Sequence, residues 1–163
     1  MTNGNGGTSG IVLLEVYDAD ATTTGSNFAN IATRAYSTTG NGVTIGRFVI
    51  SGNASKQVLL RAVGPTLTTQ AISQGDVLSD PMISLYDARN GNAKIEENDD
   101  WGTNLNAAAI TTTAARIGAT PFAGADMKSS ALLVTLNPGV YSFIASGKSA
   151  TSGIVLVEVY DAD

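Results

Sequence analysis

The chain has 163 residues, a net charge of −5, and neither histidine nor cysteine. Without those two residue types it cannot build Ser-His-Asp or Cys-His nucleophilic sites, thiolate or imidazole zinc sites, or disulfides. The few basic residues argue against nucleic acid as a partner, because a phosphate backbone needs a basic face. No apolar run is long enough to cross a bilayer, so we expect no membrane insertion. The composition favours an acidic domain that is not an enzyme.

A segment near the beginning of the sequence returns at its end. Residues 8–20 and 151–163 read the same at every position except Leu14, which aligns with Val157. An agreement this long is not chance, and repeats at domain-sized spacing are typical of tandem folded units. We therefore interpret residues 1–20 as a Gly-rich lead and the terminal strand of a preceding repeat, or a donor strand. Residues 21–163 are the predicted β-sandwich domain.

The repeated segment alternates in the way a half-buried β-strand does, with valines on one face and mixed residues on the other. One sandwich has room for one copy, so Gly10 to Asp20 is predicted to be a strand ordered against another subunit or repeat. The predicted assembly residues of the two copies are Val12, Leu14, Val16, Tyr17, Val155, Val157, Val159 and Tyr160.

Between the two copies, short apolar runs alternate with turn residues. Asn90-Gly91 predicts a tight hairpin turn, and Asn137-Pro138-Gly139 predicts a type II turn. Residues 106–117 predict a short helix over one end of the sandwich, with Gly118 at its end. The whole pattern predicts an all-β fold, an antiparallel sandwich or jelly roll of about eight strands with one short helix. The predicted strands are 31–36, 43–50, 57–63, 82–86, 93–97, 131–136, 140–145 and the repeated terminal segment.

Several motifs that follow one another in order resemble a known module. They include Ile31-Ala-Thr-Arg-Ala-Tyr36, Val58-Leu-Leu-Arg-Ala-Val-Gly-Pro65, Asn98-Asp-Asp-Trp101 and Val157-Glu-Val-Tyr-Asp161. Together they resemble a β-sandwich module found in tandem in large secreted and surface proteins of environmental bacteria. Residues 85–141 are also distantly similar to the bacterial pre-peptidase C-terminal domain. The resemblance implies a non-catalytic extracellular module, and the second family adds calcium or polysaccharide as candidate ligands.

One predicted hairpin and the residues after it are rich in oxygen ligands. Calcium prefers six to eight such oxygens, and the spacing does not match an EF-hand loop. A solvated acidic loop is the simpler interpretation. The candidate metal ligands are Asp87, Asn90, Asn92, Asp99 and Asp100.

Carboxylates of the same stretch could in principle hydrolyse a glycosidic bond, with Glu96 or Glu97 as the acid and Asp99 or Asp100 as the second group. Neighbours on one exposed loop rarely enclose a sugar ring, so this is the weakest hypothesis.

Two further residues are predicted to be structural. Trp101 is the only tryptophan, and it could stack on a sugar or pack beneath the helix; packing is the commoner fate. Arg61 interrupts an apolar strand and needs a carboxylate partner, for which Asp80 and Asp87 are the candidates.

The sequence thus predicts an extracellular or cell-surface structural module, for example in a biofilm matrix. It would assemble head to tail into a fibre or tandem array through the repeated strand, with no required cofactor and with copies of itself or adjacent repeats as partners. The alternative is a non-catalytic polysaccharide- or surface-binding module, calcium-assisted, attached to a larger secreted protein. A row of aromatic residues on one strand face would favour that alternative, and the sequence has none.

Overall fold

The structure is a computed structural model that describes Thr8, residues 10–17 and residues 28–163. Within these ranges the chain forms eight β-strands and one α-helix, α1 (Ala107–Arg116). The strands are β1 (Asn30–Ser37), β2 (Thr44–Ile50), β3 (Lys56–Val63), β4 (Pro81–Asp87), β5 (Ala93–Asn98), β6 (Ser130–Leu136), β7 (Gly139–Gly147) and β8 (Gly153–Asp161).

The strands form two four-stranded antiparallel sheets. The first sheet has the order β1-β8-β3-β6, and the second has the order β2-β7-β4-β5. Strand 1 therefore pairs with 8, 2 with 7, 3 with 6, and 4 with 5, which is the wrapping of a jelly roll. The predicted all-β sandwich with about eight strands and one main helix is confirmed.

The main core lies between the two sheets and follows from strand alternation. Leu60 of β3, Ile83 of β4 and Phe143 of β7 are completely buried there. Val155 and Val157 of β8 join the same core, while Ile154 and Leu156 point to the opposite side of the sheet. The two-residue period of a strand produces this division, because successive side chains lie on opposite faces.

Helix α1 covers the outer face of the first sheet, where Ile110 and Ala114 pack on Leu59 of β3 and on Tyr160 of β8. The helix was predicted to lie over one end of the sandwich, and that position is wrong. The face needs a cover because β3 and β8 carry apolar residues on both sides. Gly118, with φ +73°, follows the helix in the left-handed conformation that commonly ends one.

The prediction of a type II turn at Asn137-Pro138-Gly139 is wrong, because the backbone of Gly139 does not have the conformation that such a turn needs. A type II turn requires a positive φ at that position, and Gly139 has none. It is the first residue of β7, and a Cβ there would lie 2.4 Å from the guanidinium carbon of Arg89. The glycine thus makes room for a side chain.

The N-terminal copy of the repeat has a different environment from β8. Residues 10–17 belong to neither sheet, and all of them are exposed. Residues 18–20 of the predicted strand lie outside the described residues, as do residues 1–7, 9 and 21–27 of the predicted domain division. In the described ranges, no helix combines the length and the apolarity needed to cross a membrane.

Candidate functional site

The candidate site is the slot between β1 and β3 that β8 fills, which we call the strand groove. The side chain of Val157 reaches the core between the sheets and is 3% exposed. On the opposite face, Leu156 packs with Val63 and Leu67, and Tyr160 packs beneath α1. A strand in this groove is therefore covered above and below.

Both backbone edges of β8 are also paired. The register with β1 runs from Asn30 opposite Tyr160 to Ser37 opposite Gly153. The register with β3 includes Arg61 opposite Glu158. An interior strand of this kind has its peptide groups hydrogen-bonded on both sides, so its position along the groove is fixed.

The entrance of the groove requires a glycine at the first position of the strand. A Cβ on Gly153 would lie 2.5 Å from the backbone nitrogen of Leu78, which a real side chain cannot do. Hydrogen bonds between Ile154 and the backbone of Asp76 and Leu78 hold this end in place. The N-terminal copy has the same residue there, Gly10.

A buried ion pair lies on the outer side of the groove. Arg61 of β3 is 1% exposed, and its Nε is 3.2 Å from Oε2 of Glu158, which is 5% exposed. The guanidinium carbon lies 4.3 Å from the ring centroid of Phe122. The hydroxyl of Tyr160 donates a hydrogen bond of 2.9 Å to the other oxygen of Glu158. The repeated strand thus supplies both the counter-charge and the phenol.

The partner of Arg61 differs from the one expected. Asp80 pairs with Lys128 at 3.5 Å, and Asp87 pairs with Arg89 at 3.2 Å. The choice of Asp80 or Asp87 as the partner of Arg61 is therefore wrong. The sequence did contain a signal for the correct partner. The alternation of the strand places Glu158 on the face opposite the valines, away from the core between the sheets.

Trp101 is half-buried, and its ring stacks on Phe122 with centroids 4.7 Å apart. Its indole N–H donates a hydrogen bond to the backbone oxygen of Asp126 at 2.6 Å. One face and the polar edge of the indole are therefore occupied within the protein. Polysaccharide binding stays a prediction.

Asp126 is a structural residue that the sequence reasoning missed. Its buried carboxylate accepts hydrogen bonds of 2.6 Å from the hydroxyls of Thr66 and Ser129, and further ones from backbone N–H groups. Burial acts to raise the pKa of Asp126, but these hydrogen bonds outweigh it and hold the pKa below its usual value. Its bonds to the backbone N–H groups of Lys128 and Ser129 form a local Asx-type turn, a pattern readable from sequence.

The five candidate metal ligands do not come together in the structure. Asp87, Asn90 and Asn92 lie at the turn between β4 and β5, while Asp99 and Asp100 follow the other end of β5. At about 3.3 Å per residue, the six residues of β5 separate the two groups by roughly 20 Å.

The three carboxylates of the set already have cationic partners: Asp87 pairs with Arg89, Asp99 with Lys148 and Asp100 with Lys128. Among the described residues, no three acidic side chains are grouped to hold a metal ion. Calcium binding stays a prediction from the resemblance.

Glu97, one of the two carboxylates considered as the acid for glycoside hydrolysis, has its pKa shifted in the wrong direction for that role. A hydrogen bond from Lys94 holds the pKa of Glu97 below its usual value, and one from Lys148 does the same for Asp99. A general acid needs a raised pKa at neutral pH. This pair therefore gives no support to the hydrolase hypothesis.

The exposed N-terminal copy carries the side chains that fill the groove elsewhere. Leu14 is 65% exposed, whereas its counterpart Val157 is 3% exposed. The hydroxyl of Tyr17 donates to Oε1 of Glu15 at 2.8 Å, the same contact that Tyr160 makes with Glu158. The two copies thus share sequence and local side-chain geometry but differ in burial.

Comparisons of the chain with protein-family models, curated proteins and solved structures found no match. The resemblance to tandem modules stays an expectation from the sequence.

Because Arg61 and Glu158 form a buried ion pair, we expect their substitutions to have non-additive effects on the free energy of unfolding. Arg61→Met leaves Glu158 charged and unpaired in the groove, so we expect the free energy of unfolding to fall by about 3–5 kcal/mol. Arg61→Met combined with Glu158→Leu removes both charges and should recover most of that loss. Urea unfolding of the parent, the two single variants Arg61→Met and Glu158→Leu, and the double variant measures the coupling free energy. Additive losses would show that the two side chains do not interact.

The buried phenol predicts a loss of stability at alkaline pH. Burial, with the adjacent charge of Glu158, raises the pKa of Tyr160 from 10.0 to about 12. Because the unfolded chain releases this proton first, the stabilisation is complete below pH 10 and is lost as the pH rises towards 12. Unfolding free energies measured from pH 9 to 12 should fall more steeply for the parent than for Tyr160→Phe. Equal slopes would contradict the assignment.

Proposed function

We propose that the protein is a structural module that joins copies of itself head to tail, as a fibre or a tandem array outside the cell. The joint is the repeated strand: the N-terminal copy of one module occupies the strand groove of another. This reading assigns no catalytic residue and requires no cofactor.

One observation carries the proposal. Two segments of the chain have nearly the same sequence, yet β8 is buried in a groove and residues 10–17 are exposed and unpaired with either sheet. The exposed copy includes an apolar run, and contiguous exposed apolar surface of this kind usually marks a binding segment. Its exposed apolar residues are Ile11, Val12, Leu13, Leu14, Val16 and Tyr17.

The groove of each separate chain already holds β8, so a neighbour's strand enters by exchange. Full burial of an apolar side chain contributes about 1.5–3 kcal/mol, and the incoming copy offers Val12, Leu14 and Val16 for the core. The displaced strand loses nearly the same amount, so the exchange leaves the buried apolar surface almost unchanged. Assembly is then governed by the local concentration of strands, which is high for tandem modules and in a crowded matrix.

An extracellular place is supported by the composition and by the resemblance given above. Glycine is abundant, and only 14% of residues are charged. This composition suits a structural protein better than a partner of nucleic acid, which needs a basic face.

The proposal predicts that Leu14→Asp lowers assembly without affecting the fold. The substitution places a carboxylate where the docked strand meets the core, so the assembled fraction after refolding at high protein concentration should fall. The melting temperature should change by less than about 2 °C, because Leu14 is exposed in the single chain. Sedimentation velocity and electron microscopy over a concentration series give the assembled fraction.

Leu105→Asp is the matched control, because Leu105 is also an exposed leucine but lies outside the repeat. It should leave assembly unchanged. Equal assembly by the parent and by Leu14→Asp would contradict the proposal, and so would an equal loss in both variants.

A further inference from the structure

Arg61 distinguishes the strand groove from an ordinary apolar slot. Along β3 the other residues paired with β8 are apolar, and Arg61 faces the strand directly, since Arg61 and Glu158 are cross-strand partners. Within the described chain, Nη1 of Arg61 has no hydrogen-bond partner, and Glu158 is the one acidic side chain within ion-pair distance. The guanidinium therefore depends on the strand for its counter-charge.

We infer that Arg61 determines which strand the groove accepts, and that Glu15 is the residue by which an incoming copy of this chain is recognised. This inference rests on the proposed function, because it names the partner contact of the same groove. A strand without an acid at that position would leave a buried charge unpaired, which is strongly destabilising.

The same contact fixes the register of the incoming strand. A slip of one residue would turn Glu15 toward the core between the sheets. A slip of two residues would place Leu13 or Tyr17 opposite Arg61, with no charge to offer. Among the registers that keep the valine face toward the core, only that of β8 pairs the guanidinium, so the ion pair and the core face together select the strand and its alignment.

The exposed copy already has the arrangement that Arg61 requires. One oxygen of Glu15 accepts the hydroxyl of Tyr17, as one oxygen of Glu158 accepts that of Tyr160. In β8 the second oxygen of the glutamate faces Arg61. The incoming strand therefore needs little side-chain rearrangement, which lowers the entropy lost on docking.

The test uses the full chain with both of its own strand copies disabled by Leu14→Asp and Val157→Asp. Synthetic peptides with the sequence of residues 8–20 are added during refolding, in the parent form and with Glu15→Gln. We expect the parent peptide to restore the cooperative thermal transition. The Glu15→Gln peptide, which has the same shape without the charge, should need at least a tenfold higher concentration.

A second variant of the disabled chain should reverse the order in which the peptides rescue folding. When Arg61→Met and Glu158→Leu are added to the disabled chain, a Glu15→Leu peptide should rescue folding better than the parent peptide. The unmodified chain folds with its own β8 in the groove, so its cooperative thermal transition should not depend on either peptide.

The outcomes separate the two proposals. Equal rescue by the parent and Glu15→Gln peptides would overturn the role of Arg61 while leaving strand docking intact. No rescue by any peptide would overturn docking itself, and the proposed function with it.

Discussion

The sandwich is held closed by one strand, β8, whose sequence the chain carries a second time. β8 lies between β1 and β3, covered by the core on one face and by α1 and the segment around Leu67 on the other. Removing it would open the sandwich along its length. The fold needs that strand, and the chain also carries an exposed second copy of it; the proposed linkage of modules is built on these two facts.

Three features of β8 match its groove, and both copies of the repeated segment have all three. β8 has a glycine where Gly153 passes Leu78, branched apolar residues toward the core, and a glutamate opposite Arg61. The single difference between the copies, Leu14 for Val157, is an apolar change on the core face. It adds one methylene group, so the two strands would fill the groove slightly differently.

The positions of the strands could be predicted from the sequence, because the alternation of apolar residues and the turn residues are local signals. All eight predicted strands overlap observed ones, from β1 to β8. Contacts between segments that are distant in the sequence could not be predicted in the same way, because they depend on how the strands are arranged in the sheets. The pairing of Arg61 with Glu158 depends on β3 lying beside β8, and the room that Gly139 leaves depends on Arg89. The candidate metal ligands are close in sequence but separate in space, because β5 extends between them.

Docking of the N-terminal copy in a neighbour's groove can be trapped by a disulfide, because the chain has no cysteine of its own. Thr33 lies opposite Val157, so it would lie opposite Leu14 of a docked copy, at a Cα distance that a disulfide spans. Thr33→Cys with Val157→Cys, the control, should close within single chains. Thr33→Cys with Leu14→Cys, refolded at high concentration, should give covalently linked oligomers on non-reducing gels. If the control closes while the second pair links no chains to each other, the account is wrong.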